Sequence, residues 1–518
     1  MSRLVRAAGS ISLFTLLSRI LGLYRDRLMA QTFGASWVQG TFLLAWTLPN
    51  LMRRLLGEGA LSASLVPAYA KARRSDPALA REMLAQVMGT VITILTPLCL
   101  LIAGLSLVLP PEWLPAPEQG GVPAMRFLLA LNAVLFVYAL PVCLTAVCSG
   151  ALHTLGHFAL PAAVPIVLNL FWIAALLAAK PLGFTVDVEI ANFAAWSLSV
   201  GGFLQLLLVM VPLWRRGELL RPKLGLPARG TAAFAVFVAM GPTLLGMSLN
   251  QISSLLDQLM AYYLVSPGAV TYVYLANRLL LFPHSLTAMS VAIAVFPKLA
   301  HEASGIDRVQ MRRTLDLAAA ATILVTLPAA CGLIVLGDDV VRVLFLGGAF
   351  KEADVWPTVL TSSCLVAGLP FLGLAQLYAR AFYAVGDTGT PARLAVWLVL
   401  MNATLNIVLV LTTGLGTAAL TLSSSLSVVV NAGVLAFKFR RHASSAHSLG
   451  SAWLRSSLAT VAMCAALPFL KLANEGEGVL ARGLGNVAFP IVIGMVVYAG
   501  VHWLLRSPEL RALRRRRS

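Results

Sequence analysis

A chain of 518 residues that is 59% hydrophobic and only 12% charged, with a mean hydropathy of +0.84, carries more apolar surface than a water-soluble protein of this size buries. Its apolar runs recur along the whole length at about 20 residues each, which fits membrane-crossing helices and excludes the short alternating segments of a β-barrel. The net charge of +18 does not point to nucleic acid, because the basic residues gather in alternate loops.

Hydropathy predicts about fourteen spans, at approximately 5–32, 37–70, 82–110, 124–150, 158–179, 190–214, 231–264, 270–299, 313–337, 355–385, 392–413, 416–439, 451–471 and 483–506. The first apolar run follows Arg3 and Arg6 and is interrupted by Arg19, so it reads as a span and not as a cleavable signal. Bases cluster after the even-numbered spans: Lys71, Arg73, Arg74 and Arg81; Arg215, Arg216, Arg221, Lys223 and Arg229; Lys298, Arg308, Arg312 and Arg313; Lys438, Arg440 and Arg441; and the tail from Arg511 to Arg517. The opposite loops carry Glu112, Glu118, Asp187, Glu189, Asp338, Asp339, Glu475 and Glu477. By the positive-inside rule both termini are cytoplasmic.

The chain also repeats. RDRLMA at 25–30 returns as LDQLMA at 256–261, VPAYAKA at 66–72 as FPKLAHE at 296–302, ALHTLGHFALPA at 151–162 as AFYAVGDTGTPA at 381–392, and SLSV at 197–200 recurs at 425–428. A shared offset near 230 residues implies duplication. The expected architecture is an all-α polytopic membrane protein. Two six-helix lobes, residues 1–225 and 226–445, are related by a pseudo-two-fold along the membrane normal. Residues 446–518 add two helices and a basic tail.

Charge inside the spans is the functional signal. Arg19, Arg25, Asp26 and Arg27 lie in span 1, and Arg53, Arg54 and Glu58 in span 2. Each Arg near the bilayer centre costs about 2.5–3.5 kcal/mol on insertion scales. Pro49 and the glycines flanking Glu58 weaken the second helix at this point. One reading is a wet cavity for an anion, lined by Arg19, Arg25 and Arg53, with Arg278 supplied by span 8. The other is internal pairing, Arg54 with Glu58 and Asp26 with a neighbouring Arg; it leaves bases in excess. Guanidinium forks facing one cavity suit a diphosphate. Asp257 in span 7, with Asn402 and Asn406 in span 11, offers oxygens for Na⁺ or a proton; the alternative is an interhelical hydrogen-bond cluster. His153, His157 and Asp387 fall in short inner loops and read as structural. The six cysteines form no CxxC pair and read as structural thiols, implying neither metal nor disulfide. With no nucleotide loop, metal motif or nucleophile motif, the chain does not read as an enzyme.

SRILGLYRD (18–26), LPNLMRRLLGEGALSASLVPAY (48–69), NQISSLLDQLMA (250–261), ANRLLLFP (276–283) and RAFYAVGDTGTP (380–391) resemble the MurJ/MviN-type lipid II flippases of the multidrug/oligosaccharidyl-lipid/polysaccharide exporter superfamily. The resemblance implies fourteen helices and a cationic cavity. It also implies alternating-access export of lipid II across the bacterial cytoplasmic (inner) membrane. Helices 13 and 14 then form a groove for the polyprenyl tail. It makes Arg19, Arg25, Arg53, Arg278 and Glu58 substrate-binding residues and Asp257 a cation-site residue. It implies no cofactor beyond Na⁺ or H⁺ coupling. The implied partners are lipid II or a related polyprenyl-diphosphate lipid, the membrane and cell-wall synthesis proteins, and no nucleic acid. Gly40 and Leu281 depart from the family pattern, since relatives commonly carry polar or acidic residues there. The alternatives are export of another polyprenyl-linked glycan or of drugs, or a non-transporting cell-wall scaffold whose tail, Arg514 to Arg517, binds anionic lipid or a partner.

Overall fold

The computed structural model describes residues 2–55, 61–286, 288–303, 308–440, 449–472 and 478–507. Regular structure among them is helical, apart from an isolated bridge between Gly347 and Phe350. The chain divides into two compact units, Met1–Thr271 and Tyr272–Ser518.

The first unit holds α1 (Ser2–Phe33), α2 (Trp37–Met52), α3 (Leu61–Ser75), α4 (Pro77–Val108), α5 (Gly121–Thr154), α6 (Ala159–Ala179), α7 (Asp187–Arg215) and α8 (Ala232–Met260). Local chemistry sets their ends. Gly34, at φ +62°, closes α1 in the left-handed conformation that only glycine adopts cheaply. Ser36 then caps α2 by accepting from the Gln39 N–H. Asp76 caps α4 ahead of Pro77, and Thr231 caps α8. The core is built on α5, which packs against α2, α3, α4 and α7. Trp46 of α2 sits between Tyr138 of α5 and Trp172 of α6, with ring centroids 5.1 and 5.3 Å away.

The second unit holds α9 (Ala269–Leu286, from Tyr272 onward), α10 (Ala288–Ala303), α11 (Arg308–Val335), α12 (Gly337–Phe345), α13 (Glu352–Val366), α14 (Leu369–Ala384), α15 (Gly389–Thr413), α16 (Thr417–Phe439), α17 (Leu449–Ala466), α18 (Val479–Arg482) and α19 (Phe489–Leu504). Leu315, Leu377, Phe382 and Phe439 anchor a core shared by α11, α14 and α16. The break between α13 and α14 leaves carbonyls without helical partners. Ser425 of α16 donates to the carbonyls of Cys364 and Leu365 there, at 2.6 and 3.1 Å. Satisfying a broken helix from a neighbour is what the low-dielectric interior of a membrane demands.

Among the described residues, ten helical stretches are long and apolar enough to cross a membrane. The other expected spans coincide with α1, with α2 and α3, with α8 and with α9 and α10. These helices, with the turn after α2, carry Arg19, Arg25, Arg53, Asp257 and Arg278; α2, α3 and α10, of 16, 15 and 16 residues, are each shorter than a full span. The lobe boundary expected near residue 225 and the packing boundary at 271 differ because α8 packs against α2, α3 and α4.

The connection from α7 to α8 is laid along α4. Lys223 N–H donates to the Ala85 carbonyl at 3.0 Å. Thr90 Oγ1 donates to the Gly225 carbonyl at 3.0 Å, and Gly225 N–H donates to Thr93 Oγ1 at 2.9 Å. Gly89 is required beneath it, since a Cβ there would stand 1.9 Å from the Lys223 carbonyl oxygen. Ion pairs from Lys223 to Glu82, 2.6 Å, and from Arg73 to Glu218, 2.5 Å, fasten its flanks. The carboxylate of Glu218 raises the pKa of the Arg73 guanidinium above its ordinary value.

Candidate functional site

The arginines of α1 have different surroundings. Arg19 is exposed. Arg25 is 6% exposed and engaged on every side. Its Nε and Nη2 donate to Asp26 Oδ1 at 3.0 and 2.6 Å, its Nη1 donates to Asn169 Oδ1 at 3.0 Å, and its guanidinium lies 4.5 Å over the Trp172 ring. Asn169 Nδ2 returns a hydrogen bond to the Ser18 carbonyl, and Trp172 Nε1 donates to Met29 Sδ. Arg25 and Asp26 thus clasp α1 to α6. This pairing is the one foreseen for Asp26, with Arg25 as its partner. The partners on α6 were not foreseen; a lone Asn in an apolar span was the available signal.

The second helix breaks where expected. Pro49 lies inside α2, and residues 53–55 form a wide π-type turn. Arg53 sits half-buried at that turn, its Nε and Nη2 donating to Asn50 Oδ1 at 3.1 and 3.0 Å. Arg54 Nη1 reaches Gln251 Oε1 on α8 at 3.5 Å. Glu58 falls in residues 56–60, outside the described residues.

Facing α2, α8 and the π-type turn that follows it (Ala261–Val265) form a polar seam that the sequence did not reveal. Thr41 and Tyr262 hydroxyls are hydrogen-bonded at 2.9 Å, and Thr47 Oγ1 donates to Gln258 Oε1 at 2.5 Å. Beyond it the backbones touch. A Cβ on Gly40 would stand 1.7 Å from the Pro267 carbonyl oxygen, and one on Gly268 would stand 2.1 Å from that of Ala35. The departure at Gly40 therefore has a steric reason, because no side chain fits there. Asp257, next to Gln258, is half-buried on α8.

In the second unit, Arg278 is half-buried on α9. Its Nη2 donates to the Tyr274 hydroxyl at 2.8 Å, one turn earlier, and its guanidinium lies 5.0 Å over that ring. Leu281 is exposed on the same helix. Asn402 and Asn406 are buried together on α15. Asn402 Nδ2 donates to Ser423 and Ser424 hydroxyls on α16 at 3.2 and 3.3 Å. Asn406 Nδ2 donates to Asn402 Oδ1 at 3.4 Å, and Asn406 Oδ1 accepts from the Ser423 hydroxyl. The two amides and two hydroxyls form an interhelical cluster that is also rich in oxygen. Asp387 caps α15 through Thr390, a structural role. The predicted set is thus divided, with Arg19, Arg25, Arg53 and Asp257 in the first unit and Arg278, Asn402 and Asn406 in the second.

A family model described as lipid II flippase MurJ matches residues 29–484. The lipid II flippase MurJ of Burkholderia cenocepacia is 29% identical over 522 residues, covering 97% of each chain. A solved lipid II flippase MurJ in an inward closed conformation superposes with a TM-score of 0.77 at 23% identity, covering 96% of this chain and 98% of its own. An inward-facing multidrug resistance MATE transporter of the MOP superfamily gives a TM-score of 0.59 at 16% identity, covering 82% and 94%.

Proposed function

Because this chain belongs to the MurJ family of lipid II flippases, we propose that it moves lipid II from the inner to the outer leaflet of the bacterial cytoplasmic membrane by alternating access. It is a multi-pass inner-membrane protein of a flippase family. We read α1, α2 with α3, α8 and α9 with α10 as the four spans beyond the ten apolar ones. That makes fourteen, in two repeated lobes with α17 and α19 added and both termini cytoplasmic. The observation that carries the reading is the family match over residues 29–484, which takes in α2 with α3, α8 and α9 with α10.

The chain's own groups suit an undecaprenyl diphosphate. Arg53 and Arg278 donate to neutral oxygens of Asn50 and Tyr274. Exchanging these for phosphate oxygens replaces neutral hydrogen bonds by charge-assisted ones, roughly twice as strong. Arg19, exposed on α1, is placed to make first contact. Arg25 is held by Asp26, so it meets substrate only when α1 moves relative to α6. Neutralising the basic wall lets the lobes close behind the headgroup while the tail stays in lipid along α17 and α19. Outward passage of phosphate charge in an inside-negative cell is favoured by about 2.3 kcal/mol per charge per 100 mV.

Asp257, Asn402 and Asn406 are the residues we assign to a coupling Na⁺ or proton. The Asp257 carboxylate, and separately the amide and hydroxyl oxygens at Asn402 and Asn406, are the hard donors such an ion takes.

The test is rescue of bacteria depleted of their own lipid II flippase, with outer-leaflet lipid II measured directly. Wild type should restore export and growth. Arg19→Ala and Arg278→Ala, at equal membrane abundance, should lose both. Full export by both variants would end the cavity proposal. A well-expressed wild type that exports nothing would move the assignment to another polyprenyl-linked glycan.

A further inference from the structure

We propose that Cys331 and Cys464 are oxidised to a disulfide that staples α17 to α11. Nothing in their spacing suggests it; the fold brings them together. The two helices pack along one another. At Gly332, beside Cys331, a Cβ would meet the Met463 methyl at 3.5 Å, beside Cys464. The two thiols, both free in the structure, lie on the same side of that contact, each close enough to influence the other. Both are half-buried, so a reagent can reach them. Each lies in the last turns of its helix, before α11 ends at Val335 and α17 at Ala466.

Charge indicates the compartment. The N-terminal end of α11 carries Arg308, Arg312 and Arg313, and the residues following it carry Asp338 and Asp339. On the outward orientation given above, the pair sits at the outer end, facing an oxidising space where disulfides persist. The step balances as thiol–disulfide exchange with a periplasmic oxidoreductase disulfide. One cysteine thiolate attacks that disulfide, giving a mixed disulfide. The second cysteine then displaces the oxidoreductase sulfur. The S–S bond of the protein forms as that of the oxidoreductase breaks; two electrons leave in its dithiol, and the two thiol protons are accounted for there.

The bond would act where other ties are few. Lipid supplies no hydrophobic drive for helices to associate, so packing and polar contacts must hold them. For the α17 and α19 pair these include the Tyr498 hydroxyl donating to the Leu324 carbonyl, 2.7 Å, and Lys471 paired with Asp339, 2.6 Å.

The experiment uses the full chain in cells with an oxidising periplasm, with Cys99, Cys143, Cys148 and Cys364 replaced by serine. Cells are acid-quenched, denatured and treated with a maleimide mass tag. The staple predicts no tag before reduction and two after it, whereas Cys464→Ser takes one tag in both cases. Two tags without reduction overturn the staple. Copper–phenanthroline on isolated membranes then locates the error: closure of the pair shows that the contact is right and the outward orientation wrong, whereas failure to close shows that the contact itself is wrong. A reductant should lower the thermal midpoint of the wild type by a few degrees and leave Cys331→Ser unmoved; equal shifts also overturn the proposal.

Discussion

Replacing Gly40 by alanine should weaken the contact between α2 and the turn at Pro267. The new Cβ would meet the carbonyl oxygen at 1.7 Å and its carbon at 2.4 Å, where real Cβ contacts essentially never fall below 3.0 Å. Both atoms are backbone, so no side-chain rotation relieves the overlap. The segments must part by more than an ångström, which strains the Thr41–Tyr262 hydrogen bond beside them. Overpacking of this kind costs about 1–3 kcal/mol, which shifts a two-state equilibrium by roughly 5–150-fold. Thr41 is fully buried in this contact. A cysteine at position 41, in a background without the native cysteines, should therefore react with an impermeant maleimide at least about fivefold faster when Gly40→Ala is added. Gly268→Ala, whose Cβ meets the Ala35 carbonyl oxygen at 2.1 Å, should act in the same direction. Unchanged labelling in both variants would refute the reasoning, because it would mean that the backbones do not touch.

Asp26→Ala removes one partner of a buried ion pair and leaves the Arg25 guanidinium among Asn169 and Trp172. A loss of about 3–5 kcal/mol is expected, read as a fall in the thermal midpoint in detergent, with Asp26→Asn recovering part of it. Gly89→Ala should lift the linker from α4 and speed trypsin cleavage at Arg221 and Arg229, whose side chains are already exposed, in inverted vesicles; an unchanged cleavage rate would contradict the linker's placement. Asn406→Ala should cost about 1 kcal/mol through the Ser423 cluster. If the ion assignment holds, it should also abolish any rise in midpoint that Na⁺ gives the wild type over K⁺.

Hydropathy and charge made much of the fold readable. Apolar helices and arginines out of place both leave marks along a single chain. The marks fail where the partner is remote. Arg25 is visibly costly, yet the sequence does not say that Asn169 and Trp172, some 144 residues on in the case of Asn169, take up its charge. Gly40 reads as a missing carboxylate until the Pro267 carbonyl is seen against it. Asn402 and Asn406 were legible as an i,i+4 pair, but the hydroxyls they bind belong to the next helix. The wide turn after Pro49 was legible because proline removes a donor, while the polar seam with α8 depends on register across two helices, which periodicity within one helix does not report.

The linker laid on α4 sets a leash length. Its last tie to α4 is Gly225, and α8 begins directly after Thr231. The stretch from Leu226 to Thr231, even fully drawn out, spans roughly 20 Å. While those bonds hold, the start of α8 swings no farther than that from α4, whatever the rest of the helix does. This corner therefore has a fixed maximum gape, and on the orientation proposed above it lies at the inner face. Lengthening the segment with glycines and serines would raise the ceiling without touching a single arginine.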